Sequence, residues 1–288
     1  MAYGVRFLLG LFAALSLLGG IFLRLNLQDG GARPTPQTQE PTLEKELVEV
    51  PMIESTKESL SDPTLKFTID AHEPKVLLAR SPLYAKEAND VIHRFVDTIT
   101  SEFKNNVSEA AKQSHNINEP DSRDYTSDLT MRFTPLLLSP TMFSIRFDVS
   151  EYYAGAAHPN NYARVLNYHF EKHQLLSTTD LFASSTQALP FLSDYTRAAL
   201  QKTFSDIRSE EFAALVFPGT TPKSENFREV GITKNGLTVI FNPYQVAPYA
   251  RGTPEVKIPL SDLENTISDE AREAIRMANE NIVEAEPE

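Results

Sequence analysis

The chain has 288 residues, a formal net charge of −12 and no cysteine. The acidic balance argues against nucleic acid as a partner, because the phosphate backbone needs a basic face. Without cysteine there are no disulfides, no thiolate nucleophiles and no sulfur-ligated zinc, and nothing in the composition asks for a cofactor.

Residues Phe7 to Leu23 form an almost wholly apolar run bracketed by Arg6 and Arg24. As a helix the run would reach roughly 25 Å, slightly under the ~30 Å hydrocarbon core, so the flanking arginines would have to snorkel. A small-x-small cleavage site is poorly formed after it. The expectation is therefore a transmembrane anchor over 7–24, with residues 1–6 inside and the C-terminal domain outside the cell membrane. If the segment is cleaved instead, the product is secreted or periplasmic. Residues 25–61 carry Pro34, Pro36, Pro41 and Pro51 with no persistent period and read as a disordered tether. Within it, Leu47 to Ile53 leaves a short strand open as the alternative.

The folded part is expected over 62–267, divided into a first α+β part (62–145) and a C-terminal part (146–267). Leu65–Asp70 alternates as a strand, and Ala85–Gln113 gives the best helix, with Ala88, Ile92, Phe95, Ile99, Phe103, Val107 and Ala110 on one stripe. The period then changes to two. Leu129–Phe133, Met142–Val149 and Arg164–Phe170 read as three strands of an antiparallel meander, closed by a reversal at Phe170–Leu175. Amphipathic helices follow at Pro190–Phe204 and Ser209–Val216. Strands at Phe227–Ile232 and Leu237–Phe241 flank Asn235-Gly236, a strong turn pair, and Val256–Ile258 is the last strand. Ser261–Leu263 starts a short helix, and 268–288 reads as an acidic terminal helix or tail.

Two segments are distinctive. One runs Tyr152-Tyr153-Ala154-Gly155-Ala156-Ala157-His158-Pro159-Asn160. The other runs Asn235-Gly236-Leu237, then Phe241-Asn242-Pro243-Tyr244-Gln245-Val246-Ala247-Pro248-Tyr249-Ala250, and ends in Val256-Lys257-Ile258-Pro259. With Thr179-Asp180-Leu181-Phe182 between them, the order resembles the extracytoplasmic domain of unknown function shared by RsiV-type anti-sigma factors and PdaC-type peptidoglycan deacetylases. The resemblance covers roughly Leu65–Ile267. It implies an α+β fold with antiparallel sheet and packed helices in two sub-parts, outside a bacterial cytoplasm. It also implies a binding role, toward a cell-surface protein or peptidoglycan. Six residues before the expected anchor leave no room for a sigma-binding segment, and no catalytic module follows Ile267, so a binding domain standing alone is expected.

Site candidates follow from these segments. His158 could act as a base, which needs a nucleophile and an orienting acid; Ser150, Asp148 and Glu151 are the neighbours in sequence. Its alternatives are a loop lock, with Gly155 permitting a tight path and Pro159 fixing the exit, or a ligand contact. Tyr152, Tyr153, Tyr244, Pro248 and Tyr249 suit either packing or an exposed aromatic surface for glycan or protein. Of the six histidines, His169 and His173 could approach each other across the hairpin, but no metal set is complete, and Asp121–Asp128 supplies calcium-type oxygens only loosely. The main expectation is a membrane-anchored receptor for a surface protein, without chemistry. The alternatives are a peptidoglycan or glycan binding module and a cell-envelope hydrolase using His158.

Overall fold

The computed structural model describes residues 49–114 and 126–280. Its larger sheet has six strands in sequence order: β1 (Met52–Asp62), β2 (Phe67–Leu77), β3 (Ser127–Leu138), β4 (Met142–Tyr152), β5 (Asn160–His169) and the two-residue β6 (Gln174–Leu175). Helix α1 (Pro82–Ser114) covers one face. Alternation in β2 turns Phe67, Ile69 and Ala71 toward that helix. The helix answers with Ala88, Ile92, Val96, Ile99, Phe103 and Val107, all buried in one cluster. Val96 thus takes a place in the stripe expected of Ala110, which is exposed, while half-buried Phe95 lays its ring 5.0 Å from Phe147. The Asn89 amide ties the two elements together: its Oδ1 accepts from Val76 N at 2.8 Å and its Nδ2 donates to Val76 O at 2.9 Å.

The sheet is mixed. β3, β4, β5 and β6 form the expected antiparallel meander, but β2 runs parallel to β3 over Phe67–Ala71 and Ser127–Met131. A parallel pair needs a long crossover, and α1 lies on that connection. Pro135 sits in β3 beyond the reach of β2, opposite Ile145 of β4 and beside a register shift at Pro135/Leu137, the kind of irregular position where a strand tolerates proline. The expected tether overlaps β1, a strand that is exposed along nearly its whole length and exists through its antiparallel pairing with β2.

After β6 a 3₁₀ turn (Thr178–Leu181) leads to α2 (Ser185–Thr203) and α3 (Ser209–Gly219), then a three-stranded sheet of β7 (Val230–Thr233), β8 (Gly236–Ile240) and β9 (Glu255–Pro259). Short α4 (Leu260–Leu263) and α5 (Asp269–Glu280) complete the layer. Their apolar faces join the β7–β9 strands in a second core that includes Leu192, Val216, Phe227, Val239, Phe241 and Ile275. The expected boundary at 145/146 falls inside β4; the chain leaves the first sheet only after β6.

The anchored reading is corrected. Among the described residues no helix is long and apolar enough to cross a membrane. The run over 7–24 on which the single-pass, membrane-attached expectation rested lies outside the described residues, as do most of the tether and of Asp121–Asp128. What the structure supports of the fold expectation is its α+β class: a mainly antiparallel sheet packed with helices, in two sub-parts.

Gly236 closes the β7–β8 hairpin at φ +139°, and a Cβ there would stand 2.1 Å from the Ile258 carbonyl oxygen. Gly155 also has a positive φ, +90°, but open space around it. In urea denaturation, Gly236→Ala should therefore cost about 3 kcal/mol or more and Gly155→Ala only about 1 kcal/mol, because backbone strain is shared and the clash is not. Equal losses would show that the Ile258 contact relaxes freely.

Candidate functional site

β5 is paired with β4 along its whole length, but β6 covers only Tyr168 and His169 on the other side. The remaining edge of β5 is met by side chains from the second layer. Asn242 lies across Ala163, its Oδ1 accepting from Ala163 N at 2.7 Å and its Nδ2 donating to Ala163 O at 3.2 Å. Two residues on, Val165 N donates to Glu229 Oε2 at 2.7 Å, and Arg164 Nη1 donates to Glu229 Oε1 at 3.1 Å. Burial pushes the Glu229 carboxyl above its usual range, while the Arg164 guanidinium and the Val165 N–H pull the other way. Asn167 Nδ2 reaches Val230 O at 2.8 Å, and Ile232 N reaches Ser144 Oγ at 3.1 Å. Side-chain hydrogen bonds thus dock the β7 layer on β4 and β5.

That joint brings the two distinctive segments together. After β4 the chain turns through Gly155, with Ala156 N donating to Tyr153 O at 2.9 Å, and His158 Nδ1 donates to Pro159 O at 2.9 Å. On the other layer, a turn closed by Gln245 N donating to Asn242 O at 3.0 Å projects Tyr244, and Pro248 opens a 3₁₀ turn at Tyr249–Arg251. The His158 ring stacks on Tyr249 with centroids 4.4 Å apart and planes at 29°. Tyr244 continues the stack at 5.7 Å and 32°. The Tyr249 hydroxyl donates to Pro159 O at 2.9 Å and accepts from Asn161 Nδ2 at 2.8 Å, so the middle ring is pinned at its polar end. Gln245 braces the loop below, its Nε2 donating to Asn226 O at 2.8 Å and to Gly219 O at 3.1 Å.

Tyr244 is 67% exposed and holds φ +68°, a region bulky side chains avoid. A strained, exposed aromatic ring does nothing for the core. Its exposure places it on the surface and its φ marks local strain there.

Tyr152 and Tyr153 do not join this stack. Tyr152 pairs in register with Asp128, and Tyr153 turns to α1, where its ring lies 5.4 Å from Phe103 and its hydroxyl accepts from Asn106 Nδ2 at 3.1 Å. The acids that a catalytic His158 would need are engaged elsewhere. Asp148 pairs with Arg146 at 2.7 Å, and Glu151 accepts from Tyr162 Oη at 2.6 Å and from Tyr153 Oη at 3.3 Å. His169 and His173 do not approach each other either. His169 Nδ1 accepts from Lys172 N at 3.3 Å, whereas His173 pairs with Glu87 and meets Tyr84 edge-on. Among the described residues no group of three or more His, Asp or Glu side chains could hold a metal.

Asn242, Glu229 and Asn161 were missed as site residues. Asn242 stands inside a distinctive segment, but its role is to pair with a strand backbone far away in sequence, which no spacing announces. Residues 179–261 match the family described as "Protein of unknown function (DUF3298)". This segment is a DUF3298 domain. It contains the Thr179–Phe182 and Asn235–Tyr249 segments, with the His158 loop lying ahead of it.

The relation to PdaC-type deacetylases also stands. The chain is 32% identical over 118 residues to the peptidoglycan-N-acetylmuramic acid deacetylase PdaC of Bacillus subtilis (strain 168), a match covering 41% of this chain. It spans about a quarter of that relative's length (25%). Two crystal structures of DUF3298 proteins share the fold. That from Pseudomonas aeruginosa PAO1 has a TM-score of 0.55 at 14% identity, covering 76% of this chain and 95% of its own. That from Bacteroides fragilis has a TM-score of 0.57 at 16% identity, covering 81% and 99%. The expectation of a membrane-anchored receptor for a surface protein is corrected accordingly: no anchor is found among the described residues, and the relative is a peptidoglycan-modifying enzyme.

If Asn242 positions the DUF3298 loop, Asn242→Ala should leave Ala163 N and O unpaired and cost about 2–3 kcal/mol. It should also loosen the stack. Hydrogen exchange at Ala163 N–H and the ring shifts of Tyr249 and His158 read this directly, and unchanged ring shifts would show that the stack holds itself together.

Proposed function

We propose that the domain is an extracytoplasmic binding module for peptidoglycan glycan, with the His158–Tyr249–Tyr244 stack as its contact face. The observation that carries this reading is the ring row itself: three adjoining rings with successive planes inclined by 29° and 32°, exposed at the Tyr244 and His158 ends, with hydroxyl and amide groups of Tyr249 and Asn161 beside them. Such a face offers an apolar platform to the C–H side of a sugar ring and hydrogen-bonding groups to its hydroxyls. The relation to a peptidoglycan deacetylase supports cell-wall glycan as the ligand class.

The module binds without turnover in this reading. His158 spends one nitrogen on a carbonyl and its ring on Tyr249, and neither Asp148 nor Glu151 orients it. Strain at Tyr244 fits a surface kept for contact at some expense of stability.

The test separates stability from binding. Tyr244→Gly relieves the positive φ, so it should unfold at the same urea midpoint as the wild type or a higher one. The same variant should bind purified peptidoglycan about tenfold more weakly in a sedimentation assay, as expected for loss of one aromatic anchor. Wild-type protein that does not sediment, or a Tyr244→Gly protein that sediments equally, would end this reading. Soluble sugar or acetate released by the wild type would replace it with an enzyme.

A further inference from the structure

At the opposite end of β4 and β5 from the ring stack lies a cleft of about 490 Å³. Its apolar part is small and consists of Met142, Leu176, Phe182 and Ala183. Around it stand both donors and acceptors, among them His169, Thr179, Asp180 and Ser185. One charge pair cancels, and Asp180 and Asp269 leave the rim acidic. Lys172 pairs with Glu270 at 2.6 Å, and Asp180 accepts from Ser177 N at 2.8 Å and Ser177 Oγ at 2.7 Å. Asp269 begins α5, where the helix N-terminus favours its negative charge. Such a rim suits a neutral ligand rich in hydroxyl or amide groups better than an anion.

Two observations mark the place as more than a surface dent. His169 is only 5% exposed, and its Nδ1 accepts from Lys172 N, which leaves Nε2 as the protonated nitrogen. That N–H has no protein acceptor among the described residues and is not among the buried polar atoms left without a partner, so it stays reachable from the cleft. Burial, helped by the Lys172 ammonium, lowers the affinity of the ring for a second proton, so it meets a ligand as a neutral donor. Next to it, α2 begins at Ser185 with no side-chain cap: Ser184 makes no bond to the first turn. Gln187 N and Ala188 N both donate to Ser184 O at 3.1 Å, which leaves the Ser185 and Thr186 N–H groups to meet an acceptor oxygen.

We propose that this cleft binds one residue of an N-acetylated amino-sugar chain. The acetamido carbonyl accepts from His169 Nε2–H, the acetamido methyl lies against Phe182 and Leu176, and ring hydroxyls meet the α2 N-terminus and the carboxylate rim. The proposal rests on the reading of the domain as a cell-wall glycan binder, but it concerns a different place. The ten residues of β5 put the two ends about 30 Å apart, so one short ligand cannot serve both.

The experiment is an NMR titration of the full chain with N-acetylglucosamine. Saturable shifts are expected at the Ser185, Ser268 and Glu270 amides and at the His169 ring, with glucose binding about tenfold more weakly for want of the amide. Ser185→Trp, which fills the mouth from an exposed position, should abolish the shifts. His169→Phe, which keeps a ring and removes the donor, should weaken binding about tenfold. Absence of saturable shifts, equal binding of glucose, or unchanged affinity in both variants would overturn the proposal. Tyr244→Gly protein should still give these shifts, which keeps the fate of the cleft separate from that of the ring stack.

Discussion

The structure depends on side chains standing where a strand would otherwise be. The edge of β5 between Asn160 and Leu166 exposes backbone groups that neither β4 nor β6 can satisfy, and an unpaired edge invites a foreign strand. Asn242 and Glu229 close it, and their chemistry follows from what they meet. Ala163 presents one donor and one acceptor, so an amide fits. Val165 N and Arg164 are both donors, so a carboxylate fits and a glutamine would turn its N–H₂ toward one of them. A buried carboxylate is tolerable there only because both oxygens are used. Arg164 is steadied in turn by the Tyr162 ring, 4.7 Å from its guanidinium carbon.

Everything at the ring stack is downstream of that joint. The His158 loop belongs to the six-stranded sheet and the Tyr244–Tyr249 loop to the three-stranded one, so neither layer alone makes the surface. Asn242 sits two residues before Tyr244, and the backbone it clamps is five residues after His158. Register error between the layers would therefore appear at once as a broken stack. A face assembled this way is held where the amide pairs with Ala163 and carries its positive φ at Tyr244, an exposed ring.

Legibility in the sequence follows the range of the forces. The long helix was readable because its stripe repeats locally, and the β7–β8 hairpin because Asn235-Gly236 and a positive φ at Gly236 are consequences of adjacent residues. β1 was not readable. Its residues have no buried face and no alternation, so only its partner β2 makes it a strand. The parallel β2–β3 pair was equally invisible, because periodicity reports the face of a strand and not the direction of its neighbour. Of the site, the residue types at His158, Tyr244 and Tyr249 were visible in the two distinctive segments. Tyr152 and Tyr153, candidates for binding or for structuring the loop, lie apart from those rings because strand alternation and the turn after β4 send them elsewhere. Asn242 and Glu229 act across 79 and 64 residues, a separation at which sequence spacing carries no information.

The same hairpin strands, β4 and β5, therefore organise two surfaces by different means. At the Asn160 end the face is built outward, from rings held by hydrogen bonds at their rims. At the His169 end it is built inward, from a neutral buried donor and an uncapped helix start around a small apolar floor. An extended polymer can touch both, whereas a monomeric sugar cannot. Weak contacts that are joined through one ligand raise each other's effective concentration, so modest affinity at either end is compatible with firm attachment to a glycan strand. A module of this design would distinguish chain from fragment through geometry, with no need of tight binding at a single pocket.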